Sequence, residues 1–574
     1  MSTTSSNIIN VYGYVKFTDT QNGIHPAVGM KVTLYDEDLF GIRQTLAVTY
    51  TSSTGLYWFS VENDTSIFEN GYDIIVEIKL MNDQVQVQDL FQVHEYEYGP
   101  YQNVTTPYTY ISHTFQNDEL GEAVNLYQAA LLGFEYVEQV DNEDINDYAY
   151  LGIEYPYGET TCWYNPLTAD IYIGSDGIDN YMWDTLLHEF GHYVADQNDF
   201  TGFWPASHGC EMNLIHEFGK TIGMILAWSE GWAHYFSVIS QLETNASSLN
   251  IPNVGDTDKG TYDLENVNNS GYLMGEGNEY VIAMLLYDIA DLNDDGADDI
   301  DWGDDVLFDY LETVVEDIHN IDPSHHLEYF CDFYNTLNIM PYDTEFGPLM
   351  TYYKISVELL GPSYVSYECP TFSWNPQGGI TYNINNDFTL YIMSSTGNQI
   401  LSPIYVGNMT SYTLSVSQWN TVLAYGTSSI KWNVSAKQTD GIDTGPYYAE
   451  RLSCNMPTQT TLINFHEISG NIPFAGYYKW YKFTAISTGI YTFESSGFTD
   501  TYAEFFNKPV AATSISGRLY YDNDSGVGLN FSKNVSMYQG QTIYLRVRGD
   551  GWTETGSYYI EVTGGFGGFE LFQF

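Results

Sequence analysis

The first part of the chain alternates between apolar and polar side chains, with breaks rich in glycine, serine and threonine. The alternation runs through INVYGYVKFTD, MKVTLYDED, TLAVTYTSSTGLYWFSV and YDIIVEIKL. A period of two in β-branched and aromatic residues is typical of strands. The pattern predicts a small β-sandwich over residues 8 to about 80, followed by a polar, tyrosine-rich connector over residues 82–117.

Further along the chain, the apolar side chains recur at the spacing of a helix. The stretches AYLGIEYP and ADIYIG interrupt this pattern and are predicted strands. Helices are predicted in ELGEAVNLYQAALLGFEYVEQV (119–140), around HEFGH (188–192), at 223–242 and at 278–292. This region is therefore expected to form an α+β domain that ends near residue 355.

Beyond residue 359 the pattern again predicts strands, and 574 residues are too many for one hydrophobic core. We predict a multidomain protein in which an α+β domain is flanked by all-β sandwich modules. The expected domains are 1–95, 96–355, 356–456 and 457–574.

Acidic residues outnumber basic residues by 75 to 17, which gives a net charge of −58. Such a surface repels nucleic acid and anionic lipid, and it favours bound cations. No apolar run reaches the ~18 residues that a membrane-spanning helix needs. We therefore expect neither nucleic-acid binding nor membrane insertion.

The N-terminus, MSTTSSNIINVYGYV, has neither the basic start nor the apolar stretch of a signal peptide. This counts against secretion unless the signal was removed or export uses another route. Sequons mildly favour an extracellular glycoprotein. They begin at Asn63, Asn103, Asn245, Asn268, Asn408, Asn433, Asn523, Asn530 and Asn534.

The five cysteines are scattered too widely for a cysteine-rich zinc knuckle. Cys369 and Cys454 lie at the two ends of one predicted β domain, which makes them candidates for a disulfide. Cys162 and Cys210 are a weaker candidate pair.

The segment DTLLHEFGHYVAD carries two histidines four residues apart. Residues i and i+4 share one face of a helix, so His188 and His192 can bind the same metal ion. Glu189 lies next to His188, where it can face a water molecule on that ion. Because HExxH also arises by chance, the motif needs support from elsewhere in the chain.

That support comes from AWSEGWAHYFS, which places Glu230 on another predicted helix. A catalytic zinc site has three protein ligands and one open position, and two histidines with a glutamate are a common set. Over residues 119–335 the chain resembles the gluzincin metallopeptidases, in which HExxH is followed by a glutamate ligand. The resemblance implies Zn²⁺ bound by His188, His192 and Glu230, with Glu189 as the general base. It also implies that ADIYIG is the edge strand that aligns the substrate.

One position departs from the gluzincin pattern. Thermolysin-like members have an aspartate four residues after the glutamate ligand, and this chain has His234 there. Either a partner for the zinc-binding histidine comes from elsewhere, or His234 supplies that bond.

A second HEFG, at His216 and Glu217, is followed by Lys220, whose ammonium cannot bind zinc at neutral pH. We interpret it as a polar turn before the 223–242 helix.

The acidic stretch DLNDDGADD has the spacing of an EF-hand-like or dockerin-like calcium loop. The candidate Ca²⁺ ligands are Asp291, Asn293, Asp295 and Asp299. A full EF-hand has a glutamate at loop position 12, where this chain has Trp302. A solvated acidic turn is the alternative.

The flanking modules also resemble known families. PAVGMKVTLYDED with TSSTGLYWFSV is similar to transthyretin-like, carboxypeptidase-regulatory-like domains. PTFSWNPQGG, in residues 360–455, is similar to a fibronectin type III strand. The stretch from YYKWYKFTAISTGIYTFESSGFTD to the strand QTIYLRVRGD resembles the bacterial pre-peptidase C-terminal domain. Such modules commonly accompany secreted peptidases, and this outweighs the missing signal peptide.

We therefore predict a secreted zinc endopeptidase that acts on proteins or peptides. No arginine lies between residues 80 and 353, so the clamp that a carboxypeptidase uses for a terminal carboxylate is missing from this region. The oxyanion donor stays unassigned among His325, His326 and tyrosines such as Tyr280. The alternative is a cell-surface or fibre-forming structural protein, associated with the surface or self-assembled, that keeps a peptidase-like domain as a scaffold.

Overall fold

The structure is a computed structural model. It describes residues 8–565 except 38–40, 63–70, 91, 142–144, 146–147, 159–161, 176–182, 202–213, 215–219, 256–257, 260–261, 265–274, 292–299, 301, 322–326, 328–329, 337–345, 354, 377–385, 439–443, 449–451, 458, 463–465, 476, 512–513 and 551–553. The expected multidomain, β-rich architecture is confirmed. No helix in the described ranges is long and apolar enough to cross a membrane.

The N-terminal region is a pair of packed sheets. Its strands are β1 (Ile8–Thr18), β2 (Ile24–Pro26), β3 (Lys31–Glu37), β4 (Arg43–Tyr50), β5 (Leu56–Glu62), β6 (Tyr72–Lys79), β7 (Val85–Asp89), β8 (Gln92–Val93), β9 (Glu95–Val104), β10 (Tyr108–Tyr110) and β11 (His113–Phe115). One sheet joins β1 to β2, β5, β10 and β11, and the other has the order β4-β3-β6-β9. The predicted period of two is confirmed in β1, where Ile9, Val11 and Val15 are buried.

The central region combines a small sheet with long helices. Its elements are α1 (Glu119–Val140), β12 (Leu151–Glu154), β13 (Trp163–Asn165), β14 (Asp170–Tyr172), α2 (Trp183–Gln197), α3 (Lys220–Glu243), β15 (Asp258–Lys259), β16 (Tyr262–Asp263), α4 (Glu279–Ala290), α5 (Asp304–Ile321), α6 (Phe330–Thr336) and α7 (Phe346–Tyr352). One continuous apolar core, from Ile9 to Ile355, includes the N-terminal sandwich and these helices. The helix bearing HEFGH is therefore fixed to a large packed unit.

The C-terminal region is a further set of sheets. Its elements are β17 (Glu358–Gly361), β18 (Thr371–Asn375), β19 (Asn386–Ser394), β20 (Ile404–Gly407), β21 (Ser411–Thr413), α8 (Val416–Tyr425), β22 (Ser429–Gln438), β23 (Thr444–Tyr448), β24 (Leu452–Asn455), β25 (Thr460–Thr461), β26 (Ile468–Ile472), β27 (Tyr478–Thr484), β28 (Gly489–Gly497), β29 (Thr501–Phe506), β30 (Arg518–Asp522), β31 (Ser532–Met537), β32 (Thr542–Gly549) and β33 (Gly556–Gly564). One core lies mainly within 357–456 and extends to Trp480 and Phe506, and a separate core lies within 462–562. Side chains of the last module thus complete the core of the module before it.

The predicted connector over residues 82–117 is wrong, because that segment forms β7 to β11. Strands β7 and β8 join the central sheet, whose order is β13-β14-β12-β7-β8, while β9 to β11 return to the sandwich. The two regions therefore share a chain segment as well as a core.

Three further expectations need correction. The ADIYIG strand is not an edge strand, since β13 pairs with its outer side. The thiols of Cys369 and Cys454 are free, so the disulfide suggested for them is absent. Helix α8 interrupts a region that was expected to contain strands only. Cys210 lies outside the described residues, so its suggested pairing with Cys162 stays a prediction.

Candidate metal centre

Helix α2 presents its two histidines on one side and an apolar stripe on the other. The stripe is fully buried and consists of Leu186, Leu187, Phe190, Tyr193 and Val194. Phe190 packs edge-on against Phe134 of α1 and stacks on Phe236 of α3, with ring centroids 4.9 and 5.7 Å apart. The stripe thereby anchors α2 between two helices and leaves His188 and His192 half-buried on the remaining face.

A glycine allows α2 and α3 to lie close together at this point. A Cβ atom at Gly191 would lie 3.0 Å from the Cα of Ala233 and 3.1 Å from the Cβ of Phe236. The Trp232 indole N–H donates a hydrogen bond to the Gly191 carbonyl at 2.9 Å. The glycine of HEFGH is thus a packing residue that brings His188 and His192 next to the helix that carries Glu230.

His188, His192 and Glu230 meet across this contact. Their potential ligand atoms lie within 4.8 Å of one another. The Nε2 atoms of His188 and His192 lie 3.1 and 3.4 Å from Oε2 of Glu230. Two ligand atoms on a tetrahedral zinc ion, each about 2.0–2.1 Å from it, are about 3.4 Å apart. The two imidazoles and the carboxylate therefore fit a zinc ion in chemistry and in spacing.

The general-base candidate, Glu189, is on the same helix and is buried. Its carboxylate does not belong to the three-residue cluster that could hold a metal. Ser229, which precedes Glu230, has its hydroxyl 3.5 Å from Nδ1 of His192.

The C-terminal end of α2 is held by Tyr164 of β13, whose hydroxyl donates to Asp196 at 2.7 Å. Burial raises the pKa of Asp196 above its usual value.

His234 lies where thermolysin-like gluzincins have an aspartate, and its ring contacts His188. The two Nδ1 atoms are 3.1 Å apart. On its other side, Nε2 of His234 lies 3.8 Å from Oε1 of Glu279, the first residue of α4. Sequence reasoning did not single out Glu279. Its only signal was its place in GEGNEYV, directly after a residue suited to cap a helix.

The other predicted residues have mixed outcomes. Asp291 ends α4 and is buried, and its amide donates to the Tyr287 carbonyl at 2.8 Å. Tyr280 stacks its ring on His234 with centroids 4.5 Å apart. Several candidates lie outside the described residues, and these are Asn293, Asp295, Asp299, His216, Glu217, His325 and His326.

Residues 150–336 match the family model described as the Mycolysin C-terminal domain. The match contains the HEFGH helix, Glu230, His234 and Glu279. It associates this part of the chain with domains of secreted metallopeptidases. No curated protein matches the sequence.

Solved structures give only distant likenesses. The pre-peptidase C-terminal domain of a collagenase from Bacillus anthracis is 15% identical, covers 19% of this chain and 98% of its own, and has a TM-score of 0.16. A 9R-lipoxygenase from Cyanothece is 13% identical over 25% of this chain and 26% of its own, with a TM-score of 0.15. Tripeptidyl peptidase 2 is 9% identical over 90% of this chain and 45% of its own, with a TM-score of 0.17. At such TM-scores these likenesses support no functional conclusion.

Proposed function

We propose that the chain is a secreted, gluzincin-like zinc metallopeptidase that cleaves internal peptide bonds. The observation that carries the proposal is the cluster of two imidazole nitrogens and one carboxylate oxygen within 4.8 Å, beside a buried glutamate that is not part of the cluster. The Mycolysin-type match over the same residues supports it.

His188, His192 and Glu230 would hold the ion, and each offers one ligand atom from a helix that is packed into the core. Zinc held there would supply Lewis-acid polarisation of the scissile carbonyl and of a water molecule. Glu189 takes the proton from the attacking water and later delivers it to the leaving amine. The ligand side chains are largely shielded from solvent, with exposed fractions of 11–16%, which strengthens each of these electrostatic interactions.

Internal cleavage follows from the charges of the same region. Between residues 80 and 353 the cations are Lys220 and Lys259, with no arginine, so no guanidinium from this stretch can clamp a terminal carboxylate. The net charge of −58 repels acidic substrates. We expect basic or neutral unfolded polypeptides to be cleaved in preference to acidic ones.

The test is digestion of an unfolded protein, with the products identified by mass spectrometry. The wild type should generate new internal termini. Glu189→Gln should lower the rate at least ~100-fold, within the range of a positioned general base, with unchanged zinc content. The matched control is Glu138→Gln, the same change at an exposed position of α1, which should keep full activity. Stepwise C-terminal trimming would contradict internal cleavage, and a zinc-loaded but inactive protein would favour the structural alternative.

We further propose that Ca²⁺ binds Asp291, Asn293, Asp295 and Asp299, because DLNDDGADD has the spacing of oxygen ligands and the glycine that a calcium-binding loop requires. A calcium-selective chelator should lower the melting temperature without removing zinc. Asp295→Ala should melt at the chelated temperature with or without calcium. A wild-type melting curve that calcium leaves unchanged would contradict this proposal.

A further inference from the structure

Nδ1 of His188, the ring nitrogen that faces away from the metal cluster, has a partner within hydrogen-bond distance. His188 directs Nε2 toward Glu230, while its Nδ1 lies 3.1 Å from Nδ1 of His234. Beyond His234, the Glu279 carboxylate faces Nε2 at 3.8 Å. The side chains of His234 and Glu279 are 8% and 3% exposed, so these contacts are shielded from water.

The positions of the protons along this chain of groups follow from valence. A metal-binding nitrogen needs its lone pair, so a neutral His188 that binds through Nε2 carries its proton on Nδ1. That proton can be donated to Nδ1 of His234 only if the His234 proton is on Nε2. Nε2 is the atom that faces the Glu279 carboxylate, which is an acceptor. The His188–His234 contact thus places a donor opposite an acceptor, and the Glu279 carboxylate, at 3.8 Å, favours the proton on Nε2 of His234 through its charge rather than through a hydrogen bond.

Local structure holds His234 and Glu279 in position. Glu279 is the first residue of α4, and the Asn278 side chain caps that helix by accepting from the Tyr280 amide at 3.0 Å. A helix N-terminus favours a negative charge at this position. The Tyr280 ring stacks on the imidazole of His234, with the two planes 15° apart, which restricts rotation of that imidazole.

A glycine brings α4 within reach. A Cβ atom at Gly231 would lie 2.5 Å from the Cβ of Ile282 and 2.8 Å from the Glu279 carbonyl. The residue directly after Glu230 therefore permits the helix contact that brings Glu279 to His234. The motif SEGWAHYF thus provides a ligand, a close helix contact and the partner of His188.

We propose that His234 and Glu279 are positioning residues for the zinc ligand His188. The pair replaces the single aspartate of the thermolysin-like pattern with an imidazole backed by a carboxylate. It fixes the ring orientation and the tautomer of His188 without touching the substrate. The inference rests on the proposed zinc site, since His188 must be a ligand for its orientation to matter. Loss of such a partner typically weakens metal binding 10–100-fold.

The test is the zinc dissociation constant of the full chain, measured by competition with a chromophoric chelator. Residue 234 offers a matched series, because Oδ1 of asparagine occupies the same place in the side chain as Nδ1 of histidine. His234→Leu removes the acceptor and should weaken zinc binding 10–100-fold. His234→Asn restores an acceptor and should bind within about threefold of the wild type. These two variants separate the loss of the hydrogen bond from the loss of the imidazole.

Glu279→Gln gives the second readout. It should weaken zinc binding in the wild-type background, where it acts through His234, and have no effect in the His234→Asn background. It should also change the visible spectrum of the Co²⁺-substituted protein in the first background only. A purely structural role for Glu279 predicts the same effect in both backgrounds and would overturn the proposal. Zinc binding by His234→Leu equal to that of the wild type would overturn it too, with the proposed function left standing. A wild type without zinc affinity would overturn both.

Discussion

Gly231 offers a sharp test of the helix contact on which the site depends. In Gly231→Ala the added methyl would lie 2.5 Å from the Cβ of Ile282, 2.6 Å from its Cγ2 and 2.8 Å from the Glu279 carbonyl oxygen. The Cβ atom of Ile282 and the carbonyl oxygen are fixed by the backbone and cannot move by a rotamer change, and a β-branched side chain in a helix strongly prefers one χ1 rotamer. Helices α3 and α4 must instead move apart.

The magnitude follows from the distances. Restoring an ordinary contact of about 3.4 Å from 2.5 Å requires a displacement of about 0.9 Å between the helices. Overpacking of this kind costs about 1–3 kcal/mol, and replacing a helical glycine with alanine returns about 1 kcal/mol. Because the added methyl would lie under 3 Å from three atoms, the overpacking cost is in the upper part of its range, about 2–3 kcal/mol, and the net loss in the free energy of unfolding should be about 1–2 kcal/mol. Since one core runs from Ile9 to Ile355 and the unfolding entropy grows with size, the melting temperature should fall by about 1–3 °C.

The assay is thermal and urea unfolding followed by circular dichroism. Gly191→Ala serves as a graded comparison, because its added methyl meets its nearest atom at 3.0 Å and should cost less. The separation of α3 and α4 also moves Glu279 away from His234, so zinc binding should weaken in Gly231→Ala. A variant as stable as the wild type, or more stable, would refute the close contact between α3 and α4.

Three further predictions concern other parts of the chain. Arg546 is buried and donates to Oε2 of Glu504 at 2.6 and 2.9 Å, so Arg546→Met should cost about 3 kcal/mol in urea unfolding, and adding Glu504→Gln should recover part of it. Burial raises the pKa of Cys454 to about 11, so iodoacetamide at pH 8 should leave that thiol unmodified until the chain is unfolded, as peptide mass spectrometry can show. Burial raises the pKa of Asp19, but hydrogen bonds from His25 and two backbone amides outweigh it and lower the pKa overall. This carboxylate therefore stabilises the fold above about pH 4, and the stability lost in Asp19→Asn should shrink as the pH falls below that; an unchanged difference at pH 3 would contradict it.

The helices could be predicted because each carries its own periodic signal. The predicted 119–140 helix coincides with α1, and the predicted 223–242 and 278–292 helices lie within three residues of α3 and α4 at each end. Helix α8 was missed although its signals were present. Ser415 and Gln418 form a capping box at its start, and Gly426 ends it in the left-handed conformation.

Pairing between distant strands was beyond the reach of local patterns. Strand β7 pairs in parallel with β12, so Val85 lies beside Leu151 across sixty-six residues of sequence. The tyrosine-rich run that forms β9 has mostly exposed or half-buried side chains and no clear alternation. Its assignment depends on the neighbouring β6, and the sequence therefore indicated a connector there.

Some residues of the candidate site could be predicted from local sequence signals, and others depend on packing between distant elements. His188 and His192 share a helix face, so their convergence follows from their spacing. Glu230 was found through its motif, and His234 follows it by one helical turn. Glu279 could not be found in this way, because its approach to His234 depends on how closely α4 packs against α3.

The most direct test of the account is elemental analysis of the purified chain. The wild type should contain one tightly bound zinc ion per chain, and His188→Ala, His192→Ala and Glu230→Ala should each lose it while Glu189→Gln retains it. A wild type without zinc, or an unchanged zinc content in Glu230→Ala, would contradict the metal centre from which the proposed peptidase activity follows.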